Sequence, residues 1–298
     1  MMNFEIFVEW VADDLQRLLG EDYRIESTSV RKNNGVELKA LIVRNKNHNA
    51  EPVVYMEPLY QAYKNGSSIE KITKQILTKM KSELPLSMEM AEQVRNLEAI
   101  RDRIGYRLVS KSKNEELLKD IPWTPWYDLA IIYYLHLGVR EDKQVTTIIH
   151  NYQMQKWNLS LDELHELAKE NTPKLCPSTI GRLDHMLFGW NEEEGGMCQL
   201  DPALPVLYVF SNQNGINGAI CMLYDNVLKE FADMIESDLI ILPSSIHEVL
   251  LLKYDKAVNL EMFKNMVRTV NEEDVPVEDV LSDSVYIYSR EKDQISMV

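Results

Sequence analysis

Residues 239–254 read LIILPSSIHEVLLLKY, in which two apolar runs flank a polar turn. The runs, residues 238–242 and 246–253, are predicted to form strands on either side of the turn at 243–245. Near-continuous apolar character is typical of strands that are buried on both faces. We therefore expect a buried sheet here, and the rest of the chain to pack around it.

The segments on either side of this sheet show helical and strand patterns. Apolar residues recur at helical spacing over 225–235 and 260–270, which predicts two amphipathic helices. The further strands predicted in this third are residues 205–210 and 218–223, joined as a hairpin at Asn212-Gln213-Asn214-Gly215, and residues 285–288.

The middle of the chain mixes strands, helices and one aromatic turn. Strands are predicted at 104–110, 129–137 and 144–152, a short helix at 114–119, a rigid turn at Pro122-Trp123-Thr124-Pro125-Trp126, and an exposed loop at 192–196. A helix is expected over 159–170, because Ser160 and Glu163 form a capping box. Asn171 and Pro173 are expected to end that helix.

The N-terminal third predicts a small α+β unit. One helix is expected at 3–19 and is ended by Gly20, and a second begins at a capping box of Ser67 and Glu70 and runs to about residue 81. Strands are expected at 23–30, 36–43 and 53–55. Lys32-Asn33-Asn34-Gly35 joins the first two strands, since Asn-Gly suits a type I′ turn. A mixed-charge stretch over 87–103 is expected to be mostly helical.

These patterns together predict an α+β fold with largely antiparallel sheets, hairpins and amphipathic helices. We expect a small N-terminal unit at 1–82, a helical connector at 83–103 and a larger body at 104–298.

Composition limits the function classes. The 298 residues carry 32 basic and 47 acidic side chains, a net charge of −15, so binding to nucleic acid or to an anionic membrane is not expected, while a basic protein partner is compatible. The three cysteines form no CxxC pair, and we see neither a signal segment nor an apolar run of membrane-spanning length. A cytoplasmic location is expected.

The turn at 243–245 and the residues after it carry the densest chemistry. Ser245 and His247 are two apart, so on a strand both would lie on one face, and a Ser-His pair is the raw material of nucleophilic catalysis. However, parallel side chains do not converge, and no Gly-x-Ser-x-Gly motif is present. The alternative is that Ser244 and Ser245 bind the turn backbone, while His247 and Glu248 form a structural pair or a contact surface.

Other site chemistry has little support in the sequence. The six histidines are scattered without ligand spacing, and we find neither a GxGxxG motif nor a P-loop, so no metal site and no cofactor are predicted. Cys176 lacks a neighbouring histidine that would activate its thiol.

Several stretches resemble a known bacterial family. ILPSSIHEV at 241–249 is the most specific, with further matches at 32–36, 52–55, 104–109, 129–134, 168–173 and 281–288. They resemble domain of unknown function 5688, found in anaerobic gut Firmicutes, over nearly the whole chain. The order of parts is also similar, more faintly, to domain of unknown function 1444. Neither resemblance implies an activity.

Three function classes follow from these observations. The first is a non-catalytic interaction or regulatory protein with a protein partner. The second is an enzyme or small-ligand binder, whose candidate site residues are Ser244, Ser245, His247 and Glu248, joined by Asn171 and Asn212. The third is an acidic inhibitor that imitates nucleic acid and binds a basic nuclease or effector.

Overall fold

The computed structural model describes residues 2–45, 52–82, 93–140, 143–188 and 205–298. The chain divides into two compact units, Met1–Arg95 and Asn96–Val298. The fold is α+β, as predicted, and every strand pairing in the described ranges is antiparallel. The loop predicted at 192–196 lies outside the described residues.

The first unit packs three helices against a three-stranded sheet of order β1-β2-β3. Its elements are α1 (Phe4–Leu19), β1 (Tyr23–Arg31), β2 (Glu37–Asn45), β3 (Val53–Tyr55), α2 (Met56–Lys64) and α3 (Ile69–Ser82). One face of α1 presents Phe7, Val11 and Leu15 to the core, where they join apolar residues of β2, α2 and α3. Burial of this apolar stripe is what stabilises the unit.

The turn between β1 and β2 confirms the hairpin prediction. Asn34 and Gly35 both adopt positive φ angles, 57° and 70°, as the centre of a type I′ turn requires. The turn closes with a hydrogen bond from Val36 N to Asn33 O of 3.3 Å.

Two predictions in the first unit need correction. The cap of α3 is Ser68 and not Ser67, because Ser68 Oγ accepts a hydrogen bond from Lys71 N at 3.2 Å. Helix α2 was not predicted at all. Of the helical stretch expected at 87–103, residues 87–92 lie outside the described residues, and the remainder contains the short 3₁₀ turns Leu97–Ala99 and Arg101–Arg103.

The second unit contains two sheets. Its strands are β4 (Ile104–Ser110), β5 (Trp123–Trp126), β6 (Leu129–Arg140), β7 (Lys143–Ile148), β8 (Ser178–Arg182), β9 (Tyr208–Asn212), β10 (Leu239–Leu242), β11 (Val249–Lys253), β12 (Tyr286–Ser289) and β13 (Gln294–Met297). In one sheet β6 pairs with β4, β5 and β7, and the other has the order β13-β12-β10-β11-β9-β8. The helices are α4 (Glu115–Leu118), α5 (Asn151–Trp157), α6 (Leu161–Leu175), α7 (Leu183–Phe188), α8 (Val227–Met234) and α9 (Leu260–Glu273).

The stretch at 239–254 forms the centre of the six-stranded sheet. All four residues of β10 are buried, and β10 lies between β11 and β12. Ile240, Leu242 and Leu252 pack with Phe263 and Val267 of α9. The strand predicted at 246–253 begins later than expected, because β11 starts at Val249.

The hairpin predicted at 205–223 is wrong. Residues Gly218–Leu223 form a 3₁₀ helix, and β9 pairs with β8 and β11 instead. Part of the reason is local, because the side chain of Asn212 accepts hydrogen bonds from Asn214 N and Ile216 N, at 3.0 and 3.4 Å. The chain therefore curls at its tip instead of reversing into a strand.

The aromatic turn predicted at 122–126 is also wrong, because Trp123–Trp126 is a strand, β5, paired with β6. Pro125 lacks a backbone N–H and cannot donate a ladder hydrogen bond. An edge strand of the sheet tolerates this loss, since one side of such a strand needs no partner.

Helix α6 confirms one prediction and corrects another. Ser160 and Glu163 form the predicted capping box. The helix does not end at Asn171 and Pro173 but continues to Leu175, with Pro173 in its last turn. Thr172 explains part of this, because its Oγ1 donates to Ala168 O and accepts from Tyr106 N, at 2.5 and 3.0 Å. These side-chain bonds hold the last turn against β4.

The strand predicted at 144–152 is too long. Strand β7 ends at Ile148, and α5 begins at Asn151, because the Gln153 side chain accepts from His150 N at 2.8 Å and fixes a helix start there. Strand β13 extends the sheet beyond the last predicted strand.

Candidate functional site

The Pro-Ser-Ser-Ile-His-Glu stretch is an irregular loop between β10 and β11. Its backbone runs beside residues 279–282: Ile246 N donates to Asp279 O, and Leu281 N donates to Ser244 O, at 2.8 and 3.0 Å. Ser245 forms an isolated antiparallel bridge with Val280. The loop therefore ties the centre of the sheet to the segment that leads into β12.

His247 connects three segments of this loop region. Its Nδ1 accepts a hydrogen bond from Asn217 N at 3.2 Å, so the ring proton lies on Nε2, which faces Asp279 Oδ1 at 3.2 Å. The His247 carbonyl also accepts from Ser211 Oγ at 2.7 Å. Both ring nitrogens are thus engaged in holding neighbouring backbone and side chains.

Ser245 does not meet the His247 ring through its hydroxyl. Its Oγ accepts a hydrogen bond from the His247 backbone N at 3.0 Å, which is the turn-type contact expected of a short hydroxyl residue. Ser244 is half-buried, and its carbonyl is used in the loop pairing. Glu248 is half-buried and lies directly before β11. The arrangement resembles a structural junction and not a nucleophile aligned with a base.

Replacement of His247 by alanine is expected to lower the free energy of unfolding by about 1–3 kcal/mol, because it leaves Asn217 N and Asp279 without their partner. Urea denaturation measures the loss. Glu248→Ala, at the adjacent half-buried position, is the control and is expected to change stability by less than about 1 kcal/mol. Equal stabilities of His247→Ala and the wild type would contradict the structural role.

Asn212 lies beside His247 through the loop at 212–217. Its side chain holds this loop by accepting from Asn214 N and by donating to Ile216 O at 2.8 Å. Asn217 then adopts a left-handed φ of 54° and directs its N–H to His247. The structure thus joins Asn212 and His247 in one set of contacts, although the two are 35 positions apart.

Asn171 makes different contacts. Its amide nitrogen donates to Arg101 O and Ile104 O, at 2.7 and 3.1 Å, and the side chain is 8% exposed. It fixes the start of β4 to α6, and no described hydrogen bond connects it to the loop at 243–248.

Two features escaped the sequence reasoning. Ile6 and Trp10 lie on the outer face of α1, away from the buried stripe. The available signal was that both are large apolar residues outside the helical repeat. Arg107 is a charged residue within the apolar run of β4, which was visible as a single arginine in IGYRLVS.

The thiols of the second unit have buried surroundings. Cys176 and Cys221 are free and buried. Burial raises the pKa of the Cys221 thiol to about 12, which keeps it protonated and unreactive at neutral pH. No group of three or more His, Cys, Asp or Glu side chains suited to a metal ion occurs within the described ranges.

A family model described as "Family of unknown function (DUF5688)" matches residues 4–290. The chain belongs to this family. The match covers nearly all of this DUF5688 chain, including the loop at 243–248 and Arg107. No curated protein and no solved structure matches it. Among the helices that the structure describes, none is long and apolar enough to cross a membrane.

Proposed function

We propose that this DUF5688 protein is a non-catalytic interaction or regulatory protein of the cytoplasm that binds a basic protein partner. The observation that carries the proposal is the outer face of α1. Trp10 there is 59% exposed and Ile6 is 42% exposed, and the two lie one helical turn apart. Tryptophan is enriched among the residues that dominate binding energy at protein interfaces.

The charges around this pair favour a basic partner. Glu5, Glu9 and Asp13 are exposed and form a row along the helix, next to the row of Ile6 and Trp10. Within the described residues, Trp10 contacts no other aromatic ring and no cation. An amphipathic surface with lysine or arginine at its rim would cover the indole and pair with the carboxylates.

The role of His247 supports the non-catalytic part of the proposal. Its two ring nitrogens contact Asn217 N and the Asp279 carboxylate, and Ser245 Oγ accepts a hydrogen bond from the His247 backbone N. The residues that most suggested catalysis in the sequence are therefore occupied in the fold.

Replacement of Trp10 by alanine is expected to weaken capture of the partner by at least about tenfold, because it removes the central apolar contact. The measurement is affinity capture from native lysate at low and moderate salt, with quantitative mass spectrometry, followed by titration of the purified partner. Binding is expected to fall as salt rises, since exposed charges are screened.

Met234→Ala provides a matched control, because Met234 is an exposed apolar residue in the second unit. It is expected to retain the partner. A partner held equally by the wild type and by Trp10→Ala, at both salt concentrations, would contradict the proposal, as would the absence of any reproducible partner.

A further inference from the structure

Arg107 lies on a face of the four-stranded sheet that it shares with apolar and neutral side chains. Side chains on a strand alternate between faces, so Gly105, Arg107 and Val109 lie on the same face of β4. The register places Gly105 opposite Tyr134 and Arg107 opposite Ile132. Directly opposed residues of an antiparallel pair point to the same side, so Tyr134 and Arg107 share this face.

Arg107 has no partner for its charge in the described part of the chain. It makes no hydrogen bond and no ion pair there, although Arg17, Arg101, Arg182 and Arg290 each pair with a carboxylate. The side chain is half-buried by exposed area, and burial lowers the pKa of its guanidinium, an effect that Tyr134 partly opposes. Withdrawing an unpaired charge from water is destabilising unless a ligand compensates for it.

Arg107 is one of the residues that line a narrow cleft. It is lined by Tyr106, Arg107, Tyr134, Gln144, Thr146, Thr172, Cys176, Asn212, Ile216, Asn217 and Ile220. The space between these atoms is about 280 Å³, counted out to the open mouth, and about one water molecule fits wholly inside. Among its described residues the lining has one cation and no carboxylate, in a protein whose net charge is −15.

Gly105 allows one wall of the cleft to form. A Cβ atom at this position would lie 2.6 Å from Tyr134 Cζ and 2.7 Å from its hydroxyl oxygen. The absence of a side chain therefore lets the Tyr134 ring lie across β4, where its hydroxyl contacts Cys176 Sγ at 3.7 Å.

Further hydrogen-bonding groups of the cleft have no other use. The side-chain hydroxyl of Thr146 and the side-chain amide of Asn217 make no hydrogen bond to any residue that the structure describes. The side chains of Thr172 and Asn212, in contrast, are engaged in hydrogen bonds. A ligand oxygen that reached Arg107 would therefore find uncommitted donors in the same lining.

We propose that the Arg107 cleft is a binding site for the carboxylate group of a small organic acid or of a peptide C-terminus. One guanidinium matches one negative charge, and its planar fork binds a carboxylate through two parallel hydrogen bonds. The narrow space admits a flat carboxylate more readily than a tetrahedral dianion. This proposal does not depend on the α1 surface, so its test is separate from the test of the proposed function.

Titration of the full chain with acetate, followed by ¹H–¹⁵N NMR at constant ionic strength, tests the proposal. Acetate is expected to shift the Arg107 Nε–Hε resonance and the amide of Asn217 in a saturable way, and the neutral isostere acetamide is not. A short peptide with a free C-terminus, compared with its amidated form, distinguishes a peptide source from a free acid. Inorganic phosphate is expected to bind more weakly than acetate.

Variants of Arg107 separate binding from folding. Arg107→Met is expected to abolish the acetate-dependent shifts and to raise the melting temperature of the unliganded protein, because it removes an unpaired charge. Arg107→Lys keeps the charge without the fork and is expected to weaken binding. Arg268→Met, which removes an exposed arginine of α9, is the control and is expected to bind acetate as the wild type does.

Three results would overturn the proposal. They are equal shifts with acetate and acetamide, retention of the shifts in Arg107→Met, and tighter binding of phosphate than of acetate. A lower melting temperature of unliganded Arg107→Met, with no saturable shift in the wild type, would also contradict the proposal. It would show that Arg107 stabilises the fold and does not bind a carboxylate.

Discussion

Replacement of Gly218 by alanine is expected to destabilise the second unit by about 3 kcal/mol or more. A Cβ atom there would lie 2.1 Å from Ser211 Oγ, 2.5 Å from His247 O and 2.6 Å from Asn212 N. The last two are backbone atoms and cannot turn aside. The methyl group would enter the hydrogen bond from Ser211 Oγ to His247 O, so overpacking and a lost hydrogen bond act together. Chemical denaturation with two spectroscopic probes measures the change.

Gly215→Ala is the matched control in the same loop. Gly215 has a φ of +63°, but nothing lies within 4 Å of the position of its Cβ. The expected cost is about 1 kcal/mol, from backbone strain alone. Similar losses for Gly215→Ala and Gly218→Ala would show that the close packing around His247 is not what stabilises this region.

Replacement of Asp128 by alanine is expected to cost about 3 kcal/mol or more, because it removes the acceptor of three hydroxyl groups. Ser282 Oγ and Ser284 Oγ donate to the carboxylate at 2.6 and 3.1 Å, and the Tyr286 hydroxyl donates to its other oxygen. Tyr286 and Ser282 are buried, so their hydroxyls would lose a partner away from water. Burial, followed by the Asp128 hydrogen bond, raises the pKa of Tyr286.

Two further variants define this effect by thermal and urea denaturation. Asp128→Asn keeps one acceptor oxygen without the charge, and its stability is expected to lie between those of the wild type and the alanine variant. Asp283→Ala removes an exposed carboxylate that binds Asn271, and a cost of about 1 kcal/mol is expected. Equal costs at positions 128 and 283 would contradict the importance of this carboxylate.

Local chemistry made some elements predictable. Asn34 and Gly35 tolerate positive φ angles, and the hairpin follows from that property alone. Ser160 and Glu163 satisfy each other's backbone donors, which fixes the start of α6 wherever the helix packs. The apolar run of β10 similarly required burial on both faces.

Other elements depend on contacts between distant residues. Asn171 and Pro173 carry the usual signals of a helix end, yet Asn171 donates to the carbonyls of Arg101 and Ile104 and the helix continues past both residues. Residues 218–223 have the apolar composition of a strand, but they form a 3₁₀ helix that begins at Gly218, where the backbone of the distant residue His247 lies close. No local pattern reveals such neighbours.

The same limit applies to the candidate sites. Ser245 and His247 are near in sequence, which suggested catalysis, but the partners of the His247 ring lie at positions 217 and 279. Arg107 is conspicuous in its strand, but only the register with β6 places Tyr134 beside it. No carboxylate among the described residues pairs with its charge. The sequence identifies residues that could carry chemistry, but the contacts made in the folded chain decide their roles.

The amide exchange rate of Asn217 tests most directly whether His247 holds the fold. Native-state hydrogen exchange of the wild type and of His247→Ala can be compared under conditions where both remain folded. If the imidazole accepts this hydrogen bond, the Asn217 amide is expected to be protected in the wild type and to exchange at least about tenfold faster in the variant. Equal and rapid exchange of Asn217 in both proteins would contradict the structural role of His247. The residue would then again be a candidate for catalysis or ligand binding.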